Sequence, residues 1–133
     1  MKYLLKKQSA QWAAIIMLGL ATITLPTYAD FTQRVEFPRG RTTAVLQGSI
    51  AYNEVNKYML RARVGQTMMV HLTSKRNRAK FDLYLREDRR ALVNRGAEDT
   101  TDWEGELPDS GDYVISVYSV DGAATYTLEV TIR

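Results

Sequence analysis

The sequence predicts an all-β fold, a single compact antiparallel β-sandwich of about seven to nine strands. Apolar residues alternate with polar ones in many short segments, which is the pattern of strands that have one buried face. Glycine, proline and aspartate separate these segments at fairly regular spacing, as in sandwiches built from short strands. No segment has the apolar periodicity of a helix, so a parallel sheet with crossover helices is excluded.

The predicted strands follow the apolar stripes along the chain. In the first half the stripes are Val35 with Phe37, and residues 44–50, 58–64 and 68–72. In the second half they are residues 81–85, Leu92 with Val93, and residues 103–107, 113–117 and 126–132. Tyrosines at positions 58, 113 and 126 fall on these stripes, so we expect them in the core. Residues 120–122 form the clearest hairpin turn.

The first 29 residues have the pattern of a secretory signal peptide. Three lysines lie in the first seven residues, residues 13–25 are uncharged and mostly apolar, and Ala29 ends a stretch with the small residues that signal peptidase prefers. The apolar run is short for a membrane span, which needs about 20 residues, and an uncleaved N-terminal anchor is the alternative. We therefore predict a signal peptide at residues 1–29 and one small periplasmic domain at residues 30–133.

The predicted domain has no cysteine and no net charge. It therefore has no disulfide, no thiol chemistry and no lipoprotein anchor. It carries 15 basic and 15 acidic residues, which gives no argument for a nucleic-acid or membrane partner. The charges are nevertheless segregated, with a balance of +8 over residues 30–95 and −8 over residues 96–133. Complementary strand pairing and a polar binding face both explain this segregation.

Residues that could carry catalysis are few. His71 is the single histidine and lies mid-strand on the face opposite the apolar stripe, where a catalytic or metal-binding role would need partners. Ser110 lacks the Gly-x-Ser-x-Gly surroundings of a hydrolase nucleophile. The acidic cluster at residues 99–106 matches no calcium loop, so a solvated acidic face is the default interpretation. The sequence predicts no enzymatic activity, no metal site and no cofactor.

Residues 107–118, LPDSGDYVISVY, pose the main functional question. Pro108 presets φ, Asp109 and Ser110 can hydrogen-bond the backbone, and Gly111 supplies a positive φ. These features are sufficient for a turn that leads Tyr113 into the core. Ser110 is also small and polar at a predicted loop tip, so the same turn could present a hydroxyl group to a partner. The residues alone leave both interpretations open.

Residues 48–132 resemble the bacterial pre-peptidase C-terminal domain, through the segments GSIAYNEVNKYMLRARVGQTMMVHLTS, FDLYLRED, ELPDSGDYVISVYS and ATYTLEVTI in this order. That family implies a compact antiparallel β-sandwich. Because the domain stands alone behind a signal peptide and opens with VEFPRGRTTAVLQGSI, it is also similar to the periplasmic inhibitors of goose-type (g-type) lysozyme. The matching features are Val35, Phe37 and Gly40, and the Leu-Pro-x-Ser-Gly-x-Tyr stretch that ends at Tyr113.

The second resemblance implies a periplasmic protein that inhibits a lysozyme by filling its active-site cleft. In that family the Ser-Gly loop and nearby tyrosine and arginine side chains enter the cleft. Carried onto this chain, the target-binding residues are Asp109, Ser110, Gly111, Asp112 and Tyr52, and the partner is a lysozyme. The chain departs from the pattern in its last hairpin, residues 119–123, where the family has a longer basic loop. The oligomeric state stays open between monomer and weak dimer.

A non-catalytic module that binds a carbohydrate or a protein of the cell envelope is the alternative function. Trp103, Tyr84 and the acidic cluster at residues 99–106 would form its surface, with calcium as an optional ligand. Tyr52 and Tyr118 are also expected at the surface, where tyrosines often serve recognition.

Overall fold

The computed structural model describes residues 31–133, so the predicted signal peptide at residues 1–29 and Asp30 lie outside the described residues. Within this range the chain forms eight strands. They are β1 Phe31–Arg34, β2 Thr43–Ile50, β3 Val55–Ala62, β4 Thr67–Ser74, β5 Ala79–Leu85, β6 Asp102–Glu106, β7 Gly111–Ser119 and β8 Ala124–Ile132. Short 3-10 turns lie at Lys75–Asn77 and Val93–Arg95. No helix among residues 31–133 is long and apolar enough to cross a membrane.

The strands form two four-stranded sheets that pack over one core. The first sheet has the order β1-β3-β7-β5, and the second sheet has the order β2-β8-β4-β6. All neighbouring strands run antiparallel except β1 and β3, which run parallel. The predicted all-β sandwich is therefore confirmed, with one parallel pair at an edge of the first sheet.

The strand register defines two ends of the sandwich. The last residue of β3, Ala62, lies opposite the first residue of β7, Gly111. The β3–β4 turn and the β6–β7 connection therefore lie together, at what we call the loop end. The last residue of β2, Ile50, lies opposite the first residue of β8, Ala124. The β2–β3 turn and the β7–β8 hairpin therefore lie at the other end, the hairpin end.

Both sheets contribute their inner faces to the core, as the alternation predicts. The largest fully buried side chains include Tyr58, Tyr113, Phe81, Leu60, Met68 and Leu72. Full burial of one such apolar side chain contributes about 1.5–3 kcal/mol, so packing can stabilise this domain without a disulfide. The three tyrosines predicted for the core are buried, whereas Tyr52 is 57% exposed.

A small polar cluster lies inside this apolar core at the hairpin end. The side-chain amide of Asn56 donates hydrogen bonds to the hydroxyl of Tyr126 (2.8 Å) and to the backbone carbonyl of Ser49 (3.1 Å). The hydroxyls of Tyr58 and Tyr126 form a further short hydrogen bond. Burial is the main cause that raises the pKa of Tyr58, and its hydrogen bond to Tyr126 adds to the effect. Gly48 leaves room for this cluster, because a Cβ there would lie 2.5 Å from the ring of Tyr126.

Two of the predicted strands differ from the observed ones. Val35 and Phe37 were expected on the first strand, but β1 ends at Arg34, and all four of its side chains are exposed. Such a strand has no buried face, so it leaves no apolar alternation in the sequence. Leu92 and Val93 were expected to begin a strand, which is wrong, because a 3-10 turn occupies Val93–Arg95. Leu92 is fully buried from a loop, and this burial explains the apolar signal.

Candidate functional site

The predicted loop lies at the loop end, held by the turn between β3 and β4. Leu107 is buried and anchors the start of the connection. Its backbone N–H donates to the carbonyl of Gln66 (2.8 Å), and its carbonyl accepts from the N–H of Gly65 (2.9 Å). Residues 109–112, which we call the Ser-Gly loop, therefore project from a base that is bonded to the neighbouring turn.

Tyr113 supports the Ser-Gly loop from the core side. Its ring is fully buried, and its hydroxyl donates a 2.6 Å hydrogen bond to the backbone carbonyl of Asp109. Burial raises the pKa of Tyr113, so its hydroxyl, a donor at neutral pH like that of any tyrosine, keeps its proton further into the alkaline range. Tyr113 thus enters the core as expected, and its hydroxyl also closes the loop through a hydrogen bond that the sequence did not predict.

Gly111 is required where the loop joins β7. Its φ is +156°, which residues with a side chain rarely adopt, and a Cβ there would lie 3.2 Å from Cδ1 of Leu85. Both the backbone conformation and the space beside Leu85 therefore favour glycine. Asp112 follows as the second residue of β7 and lies 3.6 Å from the guanidinium of Arg34.

Ser110 is exposed at the tip and has a defined orientation. Its Oγ accepts a 2.8 Å hydrogen bond from the backbone N–H of Val64. Because the oxygen is the acceptor in this bond, the hydroxyl proton of Ser110 remains available to a partner. Asp109 beside it is also exposed, and its carboxylate forms no hydrogen bond or ion pair within residues 31–133.

Tyr52 does not join the Ser-Gly loop. It lies in the β2–β3 turn at the hairpin end, just before Val55, which pairs with Tyr118. Ser110 lies beyond the other end of β3, and eight residues of strand span about 25 Å at the usual rise of about 3.3 Å per residue. The structure therefore brings together Asp109, Ser110, Gly111 and Asp112 but places Tyr52 at the opposite end of the molecule.

Three arginines that the sequence reasoning did not single out lie near the Ser-Gly loop. Arg41 comes from the β1–β2 connection, Arg61 from the end of β3, and Arg63 from the β3–β4 turn. They line one open groove of about 520 Å³. The alternation of β3 carried a signal for two of them, because the buried Ala62 separates Arg61 from Arg63 and leaves both exposed.

Four of the nine acidic residues in the acidic half of the sequence lie on the outer face of the second sheet. Asp102, Glu104 and Glu106 project outward from β6, and Glu129 projects outward from β8. The cross-strand neighbours of the β6 carboxylates on β4 are His71, Met69 and Thr67. No lysine or arginine lies on β2, β4, β6 or β8. Within the described strands, the segregated charge is thus not balanced by complementary pairing inside this sheet.

His71 contacts neighbours that the sequence did not reveal. Its Nδ1 forms a short contact with Asp102, and its Nε2 lies 3.1 Å from the hydroxyl of Thr73. The arrangement Asp102–His71–Thr73 resembles that of a hydrolase triad. However, β4 is a central strand whose backbone is paired on both sides. It therefore presents no free N–H groups to stabilise an oxyanion. Ser110 lies at the loop end, away from His71 in the middle of β4.

Trp103 is buried, so it cannot contribute to the surface expected for the alternative function, a carbohydrate- or protein-binding module. It is only 6% exposed, and its indole N–H donates to the backbone carbonyl of Arg95 (2.9 Å). Tyr84 is half-buried, and the guanidinium of Arg89 covers its ring at 4.6 Å. No group of three or more histidine, aspartate or glutamate residues within the described part of the chain could hold a metal ion.

Comparison with solved structures identifies proteins of the same architecture. PliG from Aeromonas hydrophila, a periplasmic lysozyme inhibitor of g-type lysozyme, matches with a TM-score of 0.65 and 28% identity over 77% of this chain and 96% of that chain. The chain is similar to the periplasmic inhibitors of g-type lysozyme. This similarity confirms the resemblance that the sequence indicated. No protein-family model matches the chain, and no curated protein matches it either.

Two solved structures with lower sequence identity support the fold of this chain and nothing further. PliG from Salmonella Typhimurium has a TM-score of 0.59 and 23% identity over 79% of this chain and 100% of that chain. The pre-peptidase C-terminal domain of a Bacillus anthracis collagenase has a TM-score of 0.53 and 14% identity over 78% of this chain and 96% of that chain. The same architecture therefore occurs in the pre-peptidase C-terminal domain, the other family that the sequence resembles.

Proposed function

We propose that this protein is a periplasmic, non-enzymatic inhibitor of a g-type lysozyme and that the Ser-Gly loop fills the enzyme's active-site cleft. The observation that carries the proposal is the fixed, protruding Ser-Gly loop on a PliG-like fold. The proposed protein consists of a cleaved signal peptide at residues 1–29 and the β-sandwich domain at residues 30–133.

The proposed mechanism is occlusion of the cleft, with Ser110 as the central contact. Glycoside hydrolases act through carboxyl groups in the cleft, and such groups accept hydrogen bonds. Because the N–H of Val64 already donates to Ser110 Oγ, the Ser110 hydroxyl can donate to a carboxylate of the enzyme. The loop is held by bonds to Tyr113 and Val64 in the free protein, so little conformational freedom is lost on binding.

Tyr52 is not part of this contact in the proposal. It lies at the hairpin end, about one strand length from Ser110, so a single cleft around the Ser-Gly loop does not reach it. The flanking basic contact expected from the family has candidates at the loop end instead. Arg63 precedes Val64, whose N–H is bonded to Ser110, so in the proposal its side chain contacts the enzyme beside the cleft and not within it.

Lysis of a peptidoglycan suspension by goose-type and chicken-type lysozymes tests the proposal. The assay compares each enzyme alone, with residues 30–133 of this protein, and with its Ser110→Arg variant. We expect selective inhibition of the goose-type enzyme and its relief by Ser110→Arg. Ser49→Arg, at an exposed position on the outer face of β2, is the matched control and should inhibit like the unaltered chain. A failure to inhibit either lysozyme would contradict the proposal.

A further inference from the structure

A second surface at the loop end has the character of a binding site for an acidic group. It is the groove lined by Phe37, Arg41, Arg61, Arg63, Gln66 and Ile132, which we call the arginine groove. Phe37 and Ile132 provide apolar surface, and the three arginines provide positive charge around it. No aspartate or glutamate lines the groove.

The three arginine side chains are unpaired in the free protein. Arg34, Arg78, Lys80 and His71 are among the residues that form ion pairs elsewhere in residues 31–133. The guanidinium groups of Arg41, Arg61 and Arg63 form no ion pair or side-chain hydrogen bond within that range. All three are exposed. Asp112 lies opposite Arg61 in the register of β3 and β7, whereas Arg41 and Arg63 have no acidic neighbour among the groove residues. An anion bound beside Arg41 and Arg63 would therefore reduce the repulsion between like charges in the groove.

The arginine groove is mechanically coupled to the Ser-Gly loop. Arg63 begins the β3–β4 turn, and the next residues of this turn are bonded to the β6–β7 connection. These bonds run from the N–H of Val64 to Ser110 Oγ, from the N–H of Gly65 to the carbonyl of Leu107, and from the N–H of Leu107 to the carbonyl of Gln66, at 2.8–2.9 Å. A partner that receives Ser110 therefore faces the groove at a fixed distance and orientation.

The chemistry of the groove selects carboxylates on a partner protein. Guanidinium groups bind carboxylates with two parallel hydrogen bonds, and neighbouring apolar surface accommodates the aliphatic part of an aspartate or glutamate side chain. We propose that the arginine groove binds an acidic segment of the protein partner outside the cleft that Ser110 enters. This inference rests on the proposed function, because it assumes that the same partner receives the Ser-Gly loop.

The groove would act mainly on the rate of association. Exposed charges of one sign attract a partner of the opposite sign before contact, and this attraction weakens with ionic strength. Changing such charges typically alters the association rate constant and its salt dependence more than the dissociation rate constant. Ser110 should show the opposite behaviour, because a contact buried in a cleft acts on dissociation.

Association and dissociation rate constants with a goose-type lysozyme, measured at low and high salt, test the inference. The variants are Arg41→Glu and Arg63→Glu, and the matched control is Arg76→Glu, which makes the same charge change at an exposed position of the hairpin end. We expect each groove variant to lower the association rate constant at low salt about tenfold and to flatten its salt dependence. Thermal unfolding of all variants verifies that each one is folded.

The outcomes separate the inference from the proposed function. If the unaltered chain inhibits and the groove variants associate as fast as Arg76→Glu, the arginine groove is not a binding surface, and the occlusion by Ser110 stands. If the unaltered chain forms no complex with the lysozyme, the proposed function fails, and the inference fails with it. If the groove variants associate more slowly and Arg76→Glu does not, the result supports both the inference and the proposed function.

Discussion

The hydroxyl of Tyr113 donates a 2.6 Å hydrogen bond to the backbone carbonyl of Asp109, four residues before it in the chain. The ring of Tyr113 is buried in the core, so this bond fixes the first residue of the Ser-Gly loop to the core. On the other side, the N–H of Val64 fixes Ser110. The conformation of the loop is thus set by the fold before any partner arrives.

Replacing Tyr113 with phenylalanine should loosen the loop without altering its exposed residues. Loss of this hydrogen bond should lower the free energy of unfolding by about 1 kcal/mol. Inhibition should weaken as well, because the freed loop loses more conformational entropy on binding. Urea unfolding and lysozyme inhibition measure the two effects. Tyr118→Phe removes a hydroxyl that donates to Asp99 on another loop, so it should lower stability only.

Replacing Asp109 with asparagine should strengthen inhibition several-fold. Asp109 is exposed beside Ser110, so in the proposed complex its carboxylate approaches the carboxyl groups of the lysozyme cleft, and like charges repel. The measurement is the inhibition constant at neutral pH and moderate salt. Asp121→Asn, at an exposed hairpin position, is the control for net charge. Weaker inhibition by Asp109→Asn would show that the carboxylate itself makes a favourable contact.

Replacing Gly48 with alanine should destabilise the core at the hairpin end. The new Cβ would lie 2.5 Å from the Tyr126 ring, so the ring must move away from its bonds to Asn56 and Tyr58. Overpacking of this kind costs about 1–3 kcal/mol of unfolding free energy. Urea unfolding measures the cost, and Gln47→Ala, on the exposed face of β2, should stay close to the unaltered chain. An unchanged stability of Gly48→Ala would mean that Tyr126 shifts freely.

The domain should lose stability at alkaline pH through its buried tyrosines. The pKa of Tyr58 is raised in the folded state, so its stabilising effect is complete below about pH 10, the pKa in the unfolded chain. Above that pH the unfolded chain releases the proton first, and each such tyrosine lowers the free energy of unfolding by up to about 1.4 kcal/mol per pH unit. Tyr58→Phe should make this decline less steep in urea unfolding between about pH 8 and 12. If the free energy of unfolding fell equally steeply with pH in the unaltered chain and in Tyr58→Phe, Tyr58 would not be a cause of the decline.

Most of the fold was predictable because every strand except β1 has a buried face. In β2 to β6 and in β8, buried residues alternate with more exposed ones, and this period is visible in the sequence. β7 departs from this pattern, because residues 113–117 are all buried. β1 was not predictable, because its four residues pair only through backbone groups at an edge. Leu92 was wrongly predicted to begin a strand, because a buried residue in a loop produces the same apolar signal as a buried strand residue.

Only the part of the candidate site that depends on the backbone preferences of neighbouring residues could be predicted from the sequence. Pro108, Ser110 and Gly111 determine a turn through their own backbone preferences, so the Ser-Gly loop followed from the sequence. The position of Tyr52 depends on which strand ends meet. Only the pairing of β2 with β8 and of β3 with β7 shows that it lies at the other end of the sandwich. The arginine groove likewise combines three separate segments, and no spacing in the sequence reveals their proximity.

The parallel pairing of β1 with β3 determines where other molecules can be attached to this domain. Phe31 lies at the hairpin end, because it pairs with Asn56 near the start of β3, whereas the backbone of Arg133 pairs with Thr67 at the loop end. A fluorophore, linker or sensor surface joined ahead of Phe31 therefore leaves Ser110 unobstructed. The same attachment after Arg133 would crowd the groove beside Ile132 and, under the proposed function, slow association with a lysozyme.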